Sequence, residues 1–260
     1  MVDLRFDSEE LDACRADIVS FIKAQCETAG VEGAVIGLSG GIDSSLTAAL
    51  AVEAIGADNV YGISLPAAVS DERHKTDADR IADQLGIRYD TVTIEPAVEA
   101  CVAALPYADI KTHARGNASA RIRAVLLYMI ANQERRLVLG TGNRTEALVG
   151  YFTKFGDGAV DCHPIGNLYK CQVRQLARHV GIPSDIIEKP PTAELWEDHT
   201  DEDELGITYD TLDTILALHV DGNVPASQTA ALAECPRETV DRVITLVEGS
   251  NHKREQPPVP

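Results

Sequence analysis

One short segment constrains this chain more than any other: a Gly- and Ser-rich turn, Ser39-Gly40-Gly41-Ile42-Asp43-Ser44-Ser45, between two apolar runs. The run before it, 34–38, is typical of a buried strand, and the run after it, 46–50, is typical of a helix. Adjacent glycines let the backbone approach an anion, and free N–H groups at the helix start point at it. We expect the three serines to add hydroxyl donors. Asp43 fits beside phosphate if a divalent cation bridges them, so the segment predicts a nucleotide with Mg²⁺.

The turn matches neither Gly-x-x-x-x-Gly-Lys-Ser/Thr nor Gly-x-Gly-x-x-Gly. It resembles the SGGxDS loop of the ATP pyrophosphatases. That resemblance implies cleavage of ATP between its α and β phosphates, with the loop holding the departing pyrophosphate. The competing interpretation is a strand-to-helix turn that binds nothing, but such a turn does not explain an Asp flanked by hydroxyls at a helix start.

Length and composition favour one α/β domain, 1–260, in the cytoplasm. No apolar run is long enough to span a bilayer, and the N-terminus lacks a signal-peptide pattern. The cysteines are scattered without a Cys-x-x-Cys pair, which argues against a zinc ribbon or a disulfide framework and favours inert thiols.

The charge is strongly acidic: 41 acidic against 23 basic residues, a net charge of −18. This balance opposes nucleic-acid binding, which needs Lys and Arg to neutralise phosphates. Only seven of the basic residues are lysines, a balance that favours a salt-rich cytoplasm, where screening suppresses the repulsion between carboxylates. An ordinarily acidic enzyme is the alternative.

Apolar periodicity predicts alternating strands and helices, and therefore a doubly wound parallel sheet with helices on both faces. The capping signal at Asp7 opens the first helix. An acidic stretch, 197–204, is predicted to be a solvated loop. The predicted strands are 34–38, 60–66, 87–94 and 137–140, and the predicted helices cover 11–22, 46–54, 70–85, 118–133, 168–180, 208–219 and 240–247.

Ligands of such sheets bind beyond the carboxyl ends of strands, at a switch in strand order. The segments 39–41 and 141–143 both follow predicted strands. We therefore expect these two distant segments to meet at one site.

Further segments narrow the resemblance to the ammonia-dependent NAD synthetases, and the likeness covers nearly the whole chain. The blocks that carry it are Asn117-Ala118-Ser119-Ala120-Arg121-Ile122-Arg123, Gly140-Thr141-Gly142-Asn143-Arg144-Thr145-Glu146, 150–158, Pro190-Pro191-Thr192-Ala193-Glu194-Leu195, 201–210 and His252-Lys253-Arg254. Two departures are Ile42, where the family's bacterial members commonly carry Gln, and the Thr-Gly-Asn-Arg of 141–144, where they often have Thr-Asp-His-Ala.

The resemblance implies a Rossmann-like sheet of the adenine nucleotide alpha hydrolase type and the following reaction. ATP adenylylates the nicotinate carboxylate of deamido-NAD, and ammonia displaces AMP to form the amide. It also implies a homodimer whose interface helps to build the dinucleotide site. No glutaminase domain precedes the synthetase region, so we expect free ammonia, or ammonia from another protein, as the nitrogen source.

The resemblance also assigns site residues. Asp43 and Glu146 would bind Mg²⁺, and Asp43, Lys170 and Asp161 would act in catalysis, with Asp161 either binding substrate or positioning ammonia. The ATP site would comprise Gly37, Leu38, Ser39, Gly40, Gly41, Ile42, Asp43, Ser44, Thr141, Lys170 and Thr192. The deamido-NAD site would comprise Arg121, Lys154, Asp161, His252 and Lys253.

Several of these residues have a plainer alternative role. Lys154, Lys170 and Lys253 could be solvated lysines, and Glu146 could merely cap a helix that starts near Thr145. Arg121 and Arg123 are two residues apart on a helix, so we expect only one to face the substrate. We also expect His113 and His163 to be structural.

Two other functions compete. A tRNA thiolase or lysidine synthetase would need a basic RNA-binding surface and, for many thiolases, paired cysteines, and the chain has neither. A nucleotide sensor without chemistry would leave Glu146, Lys154 and Lys170 superfluous.

Overall fold

The computed structural model describes residues 3–67, 72–107, 109–191 and 201–260. Its sheet comprises the parallel strands β1 (Gly33–Gly37), β2 (Val60–Ser64), β3 (Arg88–Thr91) and β4 (Arg136–Leu139), in the order β3-β2-β1-β4. Val35 pairs with Tyr61 on one side and with Val138 on the other. The chain winds from β1 towards β3 and then crosses back to β4. The crevice between β1 and β4 is therefore the switch point at which such sheets bind ligands.

Helices cover both faces of this sheet. They are α1 (Ser8–Ala29), α2 (Ile42–Ile55), α3 (Glu72–Leu85), α4 (Glu95–Ala103), α5 (Thr112–Glu134), α6 (Arg144–Val149), α7 (Lys170–His179) and α8 (Ser184–Ile187). In β1, Ala34 and Ile36 join the apolar cluster that contains α1, α2 and α7, whereas Val35 joins the cluster that contains α4 and α5. Alternate side chains of a strand point to opposite faces. The predicted doubly wound α/β fold is confirmed.

The remaining helices form a third apolar cluster around Tyr209, Leu212 and Val240, which packs on α6 and α7. They are α9 (Asp201–Leu205), α10 (Tyr209–Leu216), α11 (Ala226–Leu232), α12 (Arg237–Gly249) and α13 (Asn251–Arg254). This layer holds the starts of α6 and α7 from the side away from the sheet.

Several predicted elements differ from those observed. The strand predicted over 87–94 is only 88–91, because it is an edge strand whose side chains are mostly exposed. The helix predicted from 118 begins at Thr112. The helix predicted over 208–219 changes to a wider π turn at Ala217–Asp221. The capping box at Asp7 and Glu10 is confirmed, as is the helix predicted over 70–85 from residue 72 onward.

The prediction of a solvated loop over 197–204 is wrong for the described residues in two respects: they form a helix, and Asp201 is buried, although Asp203 and Glu204 are exposed as expected. Residues 197–200 of this stretch lie outside the described part of the chain. Asp201 begins α9, is only 5% exposed, and accepts hydrogen bonds from the hydroxyls of Tyr151 and Tyr209, each at 3.1 Å. Two phenol donors account for burial of this carboxylate.

Candidate active site

The predicted phosphate loop joins β1 to α2 and is held in shape by its own side chains. Gly40 has φ 81°, a backbone conformation that glycine adopts without strain. The Ser44 and Ser45 hydroxyls both donate to the Gly41 carbonyl, at 3.1 and 2.8 Å. The Ser39 N–H donates to Ser44 Oγ at 3.2 Å. Ser45 is fully buried, so the expectation that all three hydroxyls face a phosphate is wrong for Ser45, which stabilises the turn instead.

Lys170 lies between the two predicted magnesium ligands. Its Nζ is 2.6 Å from Asp43 Oδ2 and 3.3 Å from Glu146 Oε1. The Lys170 side chain is 2% exposed, and each carboxylate side chain is 18% exposed. All three residues lie in the first turn of their helices, α2, α6 and α7, where the helix dipole favours negative charge. The ammonium offsets the charge of the buried carboxylates, so the interpretation of Lys170 as a solvated lysine is wrong.

The pKa values of this cluster follow from its burial and charge. Burial raises the pKa of Glu146 to about 7; the neighbouring ammonium of Lys170 opposes this rise and the carboxylate of Asp43 adds to it. Burial alone would lower the pKa of Lys170, but Asp43 and Glu146 more than reverse that effect and raise it above the ordinary lysine value. Lys170 therefore stays charged at any pH at which the protein is used.

The Asn143 side chain contacts both Asp43 and Glu146, and the sequence alone did not identify it as a site residue. Its Nδ2 donates to Asp43 Oδ1 at 2.9 Å, and its Oδ1 accepts from the Glu146 N–H at 3.0 Å. Both contacts fix the amide orientation, because a flipped amide would face a carboxylate with its oxygen. Glu146 completes a capping box with Asn143, so its capping role and its place in the cluster are both real. The Asn-x-x-Glu spacing, which is typical of a capping box, was the sequence feature that could have identified Asn143.

The donor set fits a magnesium ion. Two carboxylates from separate helices approach one ammonium, so they can also approach one cation, and a single Lys leaves the trio with a net negative charge. In the described part of the chain, no group of three or more His, Cys, Asp or Glu side chains could hold a metal. Two protein carboxylates suit Mg²⁺, which commonly takes the remaining ligands from water and substrate phosphates.

A cavity of about 830 Å³ lies over the switch point and brings most of the predicted site together. Gly40 lies in the loop without lining it, and Thr192 lies outside the described residues. His113, which we expect to be structural, also lines the cavity. The predicted residues that line it are Gly37, Leu38, Ser39, Gly41, Ile42, Asp43, Ser44, Thr141, Glu146 and Lys170 for ATP and metal, and Arg121, Lys154, His252 and Lys253 for the dinucleotide.

Three basic residues of the cavity donate hydrogen bonds to backbone carbonyls. Lys253 Nζ donates to the Gly150 and Phe152 carbonyls at 2.6 and 2.8 Å. Lys154 Nζ donates to the His252 carbonyl, and Arg121 donates to the Lys154 carbonyl at 3.1 Å. These bonds connect the 150–155 loop to the C-terminal helix α13. The lysines are therefore held at the cavity wall, which contradicts their interpretation as freely solvated side chains.

Arg121 and Arg123 both line the cavity, and the expectation that only one of them faces the substrate stays a prediction. Arg123 Nε donates to the Leu65 carbonyl at 2.8 Å. That carbonyl follows β2 at the same end of the sheet as the phosphate loop. Arg123 can therefore reach this end of the cavity although it projects from a different side of α5 than Arg121.

Asp161 lies outside this cavity, in contrast to the predicted role beside the other substrate residues. Its Oδ2 accepts from the Val138 N–H at 2.8 Å, and its Oδ1 accepts from the Tyr128 hydroxyl at 3.1 Å. Because β4 is the edge strand on this side of the sheet, Val138 has a free N–H that the carboxylate satisfies.

A parallel sheet with a phosphate loop and an acidic, lysine-centred cluster at its switch point defines a nucleotide-binding α/β protein. A family model for NAD synthase matches residues 14–257. The chain belongs to the NAD synthase family.

Two similar proteins are the NH(3)-dependent NAD(+) synthetases of Halobacterium salinarum and Methanocaldococcus jannaschii. The first is 52% identical over 100% of this chain and 97% of that protein, and the second is 44% identical over 97% and 98%.

Among solved structures, NMN synthetase from Francisella tularensis superposes with a TM-score of 0.86 at 36% identity, covering 98% of this chain and 99% of that one. The NH3-dependent NAD synthetase from Campylobacter jejuni superposes with a TM-score of 0.81 at 26% identity, with the same coverage.

No helix in the described residues combines the length and apolar character needed to cross a membrane. All six cysteines, Cys14, Cys26, Cys101, Cys162, Cys171 and Cys235, are free thiols.

Proposed function

We propose that this chain amidates deamido-NAD with ammonia, consuming ATP and forming NAD, AMP and pyrophosphate. The observation that carries the proposal is that one cavity joins the phosphate loop and the Asp43–Lys170–Glu146 cluster to the basic wall of Arg121, Lys154 and Lys253. One end suits a triphosphate and its cation, and the other suits a second anionic substrate. Family membership supports the same reaction.

The reaction requires a carboxylate oxygen of the nicotinate to attack the α-phosphorus of ATP. The bond from the α-phosphorus to the bridging oxygen of pyrophosphate then breaks, and the loop N–H groups at the start of α2 stabilise the departing charge. Ammonia attacks the acyl carbon, AMP leaves with the carboxylate oxygen, and a proton is released. The site needs to align two substrates and requires no covalent enzyme nucleophile.

We propose Asp43 and Glu146 as the residues that hold Mg²⁺. When bound, this ion neutralises phosphate charge. Asn143 orients Asp43 and Glu146, and Lys170 keeps both carboxylates close together before substrates arrive. Thr141 at the cavity wall and Thr192 remain proposed ATP contacts.

We also propose a homodimer that buries the outer surface of α5. Val125 and Met129, one helical turn apart, are 57% and 62% exposed, and exposed apolar side chains that adjoin each other favour association. Tyr128 and Asp161 lie beside them. This arrangement supports a role for Asp161 at the dinucleotide site of the partner subunit. Light scattering should give a dimer mass that Val125→Asp with Met129→Asp reduces to a monomer mass.

A cytoplasmic location is supported by the free thiols, which persist in a reducing compartment. The acidic surface and the halobacterial relative support a salt-rich cytoplasm.

A second substrate is suggested by the Francisella relative, which is an NMN synthetase. Its reaction forms the same amide on a mononucleotide. Nicotinate mononucleotide is therefore the acceptor to compare with deamido-NAD, ahead of unrelated acceptors of other ATP pyrophosphatases.

The test incubates the protein in high-KCl buffer with ATP, Mg²⁺, ammonium and either acceptor, and follows amide product, AMP and pyrophosphate. Equal amounts of NAD, AMP and pyrophosphate support the proposal, with kcat/KM higher for deamido-NAD than for the mononucleotide. The reverse preference would make the chain an NMN synthetase, and ATP that binds but stays whole would make it a sensor. Asp43→Asn should abolish product, whereas Asp185→Asn, an exposed carboxylate on α8, should not.

A further inference from the structure

Helix α10 carries a buried carboxylate, Asp213, at the interface between the C-terminal layer and the active-site helices. Asp213 has no exposed surface, and its neighbours on the same helix, Leu212, Ile215 and Leu216, are equally buried apolar residues. Burying a carboxylate among such residues is costly, and well-packed apolar replacements of buried ionic groups are often neutral or stabilising. Stability alone therefore gives no reason for an acid at this position.

The contacts of Asp213 lead to both active-site helices. Its Oδ1 accepts from the Thr145 hydroxyl at 2.6 Å, and its Oδ2 accepts from the Cys171 N–H at 2.8 Å. Thr145 Oγ1 in turn accepts from the Lys170 N–H at 3.0 Å. Thr145 directly precedes Glu146 on α6, and Cys171 directly follows Lys170 on α7.

These bonds satisfy the N–H groups that a helix start cannot satisfy itself. Lys170 and Cys171 are the first two residues of α7, so their N–H groups have no partner within the helix. Asp213 and Thr145 provide the partners from two other helices. The negative charge also lies at the positive end of the α7 dipole. The start of α7 is thereby fixed relative to the start of α6.

We propose that Asp213 is a positioning residue of the reaction, which sets the separation between the Lys170 ammonium and the Glu146 carboxylate through Thr145 and the Cys171 N–H. This proposal rests on the proposed function for its kinetic consequence. The positioning itself is a property of the folded protein and can be measured without substrates.

The test compares four variants with the wild type in high-KCl buffer. Asp213→Asn replaces one acceptor with a donor, so the Thr145 and Cys171 bonds cannot both persist unchanged. Thr145→Val removes the hydroxyl link but keeps Asp213. The matched control is Thr229→Val, because Thr229 is equally buried and donates to the Val224 and Pro225 carbonyls, away from the cavity. Thr145→Ser, which keeps the hydroxyl, is the conservative rescue.

The first set of measurements gives three quantities for each variant: the kcat for NAD formation, the KM for ATP and the melting temperature. We expect Asp213→Asn and Thr145→Val to lower kcat by roughly 10- to 100-fold with a smaller change in KM, since small misplacements of reacting groups have effects of this size. Thr229→Val should lose a similar amount of stability but keep the wild-type kcat. Thr145→Ser, which keeps the hydroxyl, should have a kcat close to that of the wild type.

The second measurement is acetylation by acetic anhydride without ATP or Mg²⁺, read by mass spectrometry as the ratio of Lys170 to the exposed Lys111 in the same sample. Lys170 should be protected in the wild type and in Thr229→Val, and several-fold more reactive in Asp213→Asn and Thr145→Val. Unchanged protection in both of these variants, or kcat losses no larger than in Thr229→Val, would overturn the proposal. A wild type that makes no NAD would refute the proposed function, and the labelling would still decide the positioning role.

Discussion

Lys170 Nζ lies 2.6 Å from Asp43 Oδ2, and this contact joins the phosphate loop to a helix that begins 127 residues later. The Lys170 side chain is almost completely buried, so water screens its attraction to these carboxylates only weakly. Because one ammonium faces two carboxylates, the cluster keeps a net negative charge at the position where a cation and a triphosphate would arrive. The contact explains how two acidic side chains remain close together in a nearly dry site.

Replacing Lys170 by Met should leave two carboxylates without their cation. We expect a loss of about 3–5 kcal/mol in the free energy of unfolding, as for other broken buried ion pairs, and the loss of most activity. Added Mg²⁺ should raise the melting temperature of this variant more than that of the wild type, because the ion replaces the missing positive charge. Thermal unfolding with and without Mg²⁺ checks this, and Lys23→Met on the exposed side of α1 is the control. An equal Mg²⁺ effect on both proteins would contradict the cation-site assignment.

Asn143 and Asp7 offer a matched pair, because each closes a capping box with a Glu three residues on. Either residue changed to Ala should lose a cap and destabilise the protein by about 0.5–2 kcal/mol. Only Asn143→Ala also removes the amide donor of Asp43, so only this variant should weaken Mg²⁺ binding, by on the order of 10- to 100-fold. Calorimetric titration with Mg²⁺ measures this, and equal Mg²⁺ affinity in both variants would show that Asn143 only caps α6.

Mg²⁺ binding should depend on pH through Glu146. Burial raises the pKa of this acid to about 7, so below that pH the carboxyl holds a proton that an incoming cation must displace. Affinity for Mg²⁺ should therefore rise by up to about tenfold per pH unit towards pH 7 and level off above it. Titrations between about pH 6 and about pH 8 test this. In Glu146→Gln the dependence should vanish, and a wild-type affinity that is flat over this range would exclude Glu146 as the titrating ligand.

The net charge of −18 should make stability depend on salt. Raising KCl from about 0.1 M to about 1 M shortens the screening length from about 10 Å to about 3 Å, which weakens the repulsion between surface carboxylates. We expect the melting temperature to rise by several degrees over this range. A melting temperature that stays constant or falls would show that the acidic surface is not an adaptation to salt.

Local signals in the sequence predicted the parts of the site that lie within one turn. The glycines and serines of 39–45 predicted the phosphate loop, and the carboxyl ends of two predicted strands indicated that segments 39–41 and 141–143 would meet. The pairing of Asp43 with Glu146 was implied by the family resemblance. The loop prediction depends on residue types, and the meeting of the two segments depends on sheet topology, which follows from element order.

The partners of the buried polar side chains could not be predicted in this way. The Thr145 bond to Asp213 spans 68 residues and depends on how α10 crosses the start of α6. Ser45 was expected to donate to the phosphate, but its hydroxyl donates to the Gly41 carbonyl at the start of α2. The family resemblance implied a substrate role for Asp161, yet its carboxylate accepts a hydrogen bond from the edge strand of this subunit, a contact that depends on the strand order.

In the proposed reaction, this site joins a carboxylate to the α-phosphorus of ATP. The most direct measurement uses deamido-NAD labelled with ¹⁸O in both oxygens of the nicotinate carboxylate, with ATP, Mg²⁺ and ammonium, followed by mass spectrometry of the products. We expect one ¹⁸O in the phosphate of AMP, one ¹⁸O in the amide of NAD, and none in pyrophosphate. Label in inorganic phosphate with formation of ADP, or unlabelled AMP, would contradict it.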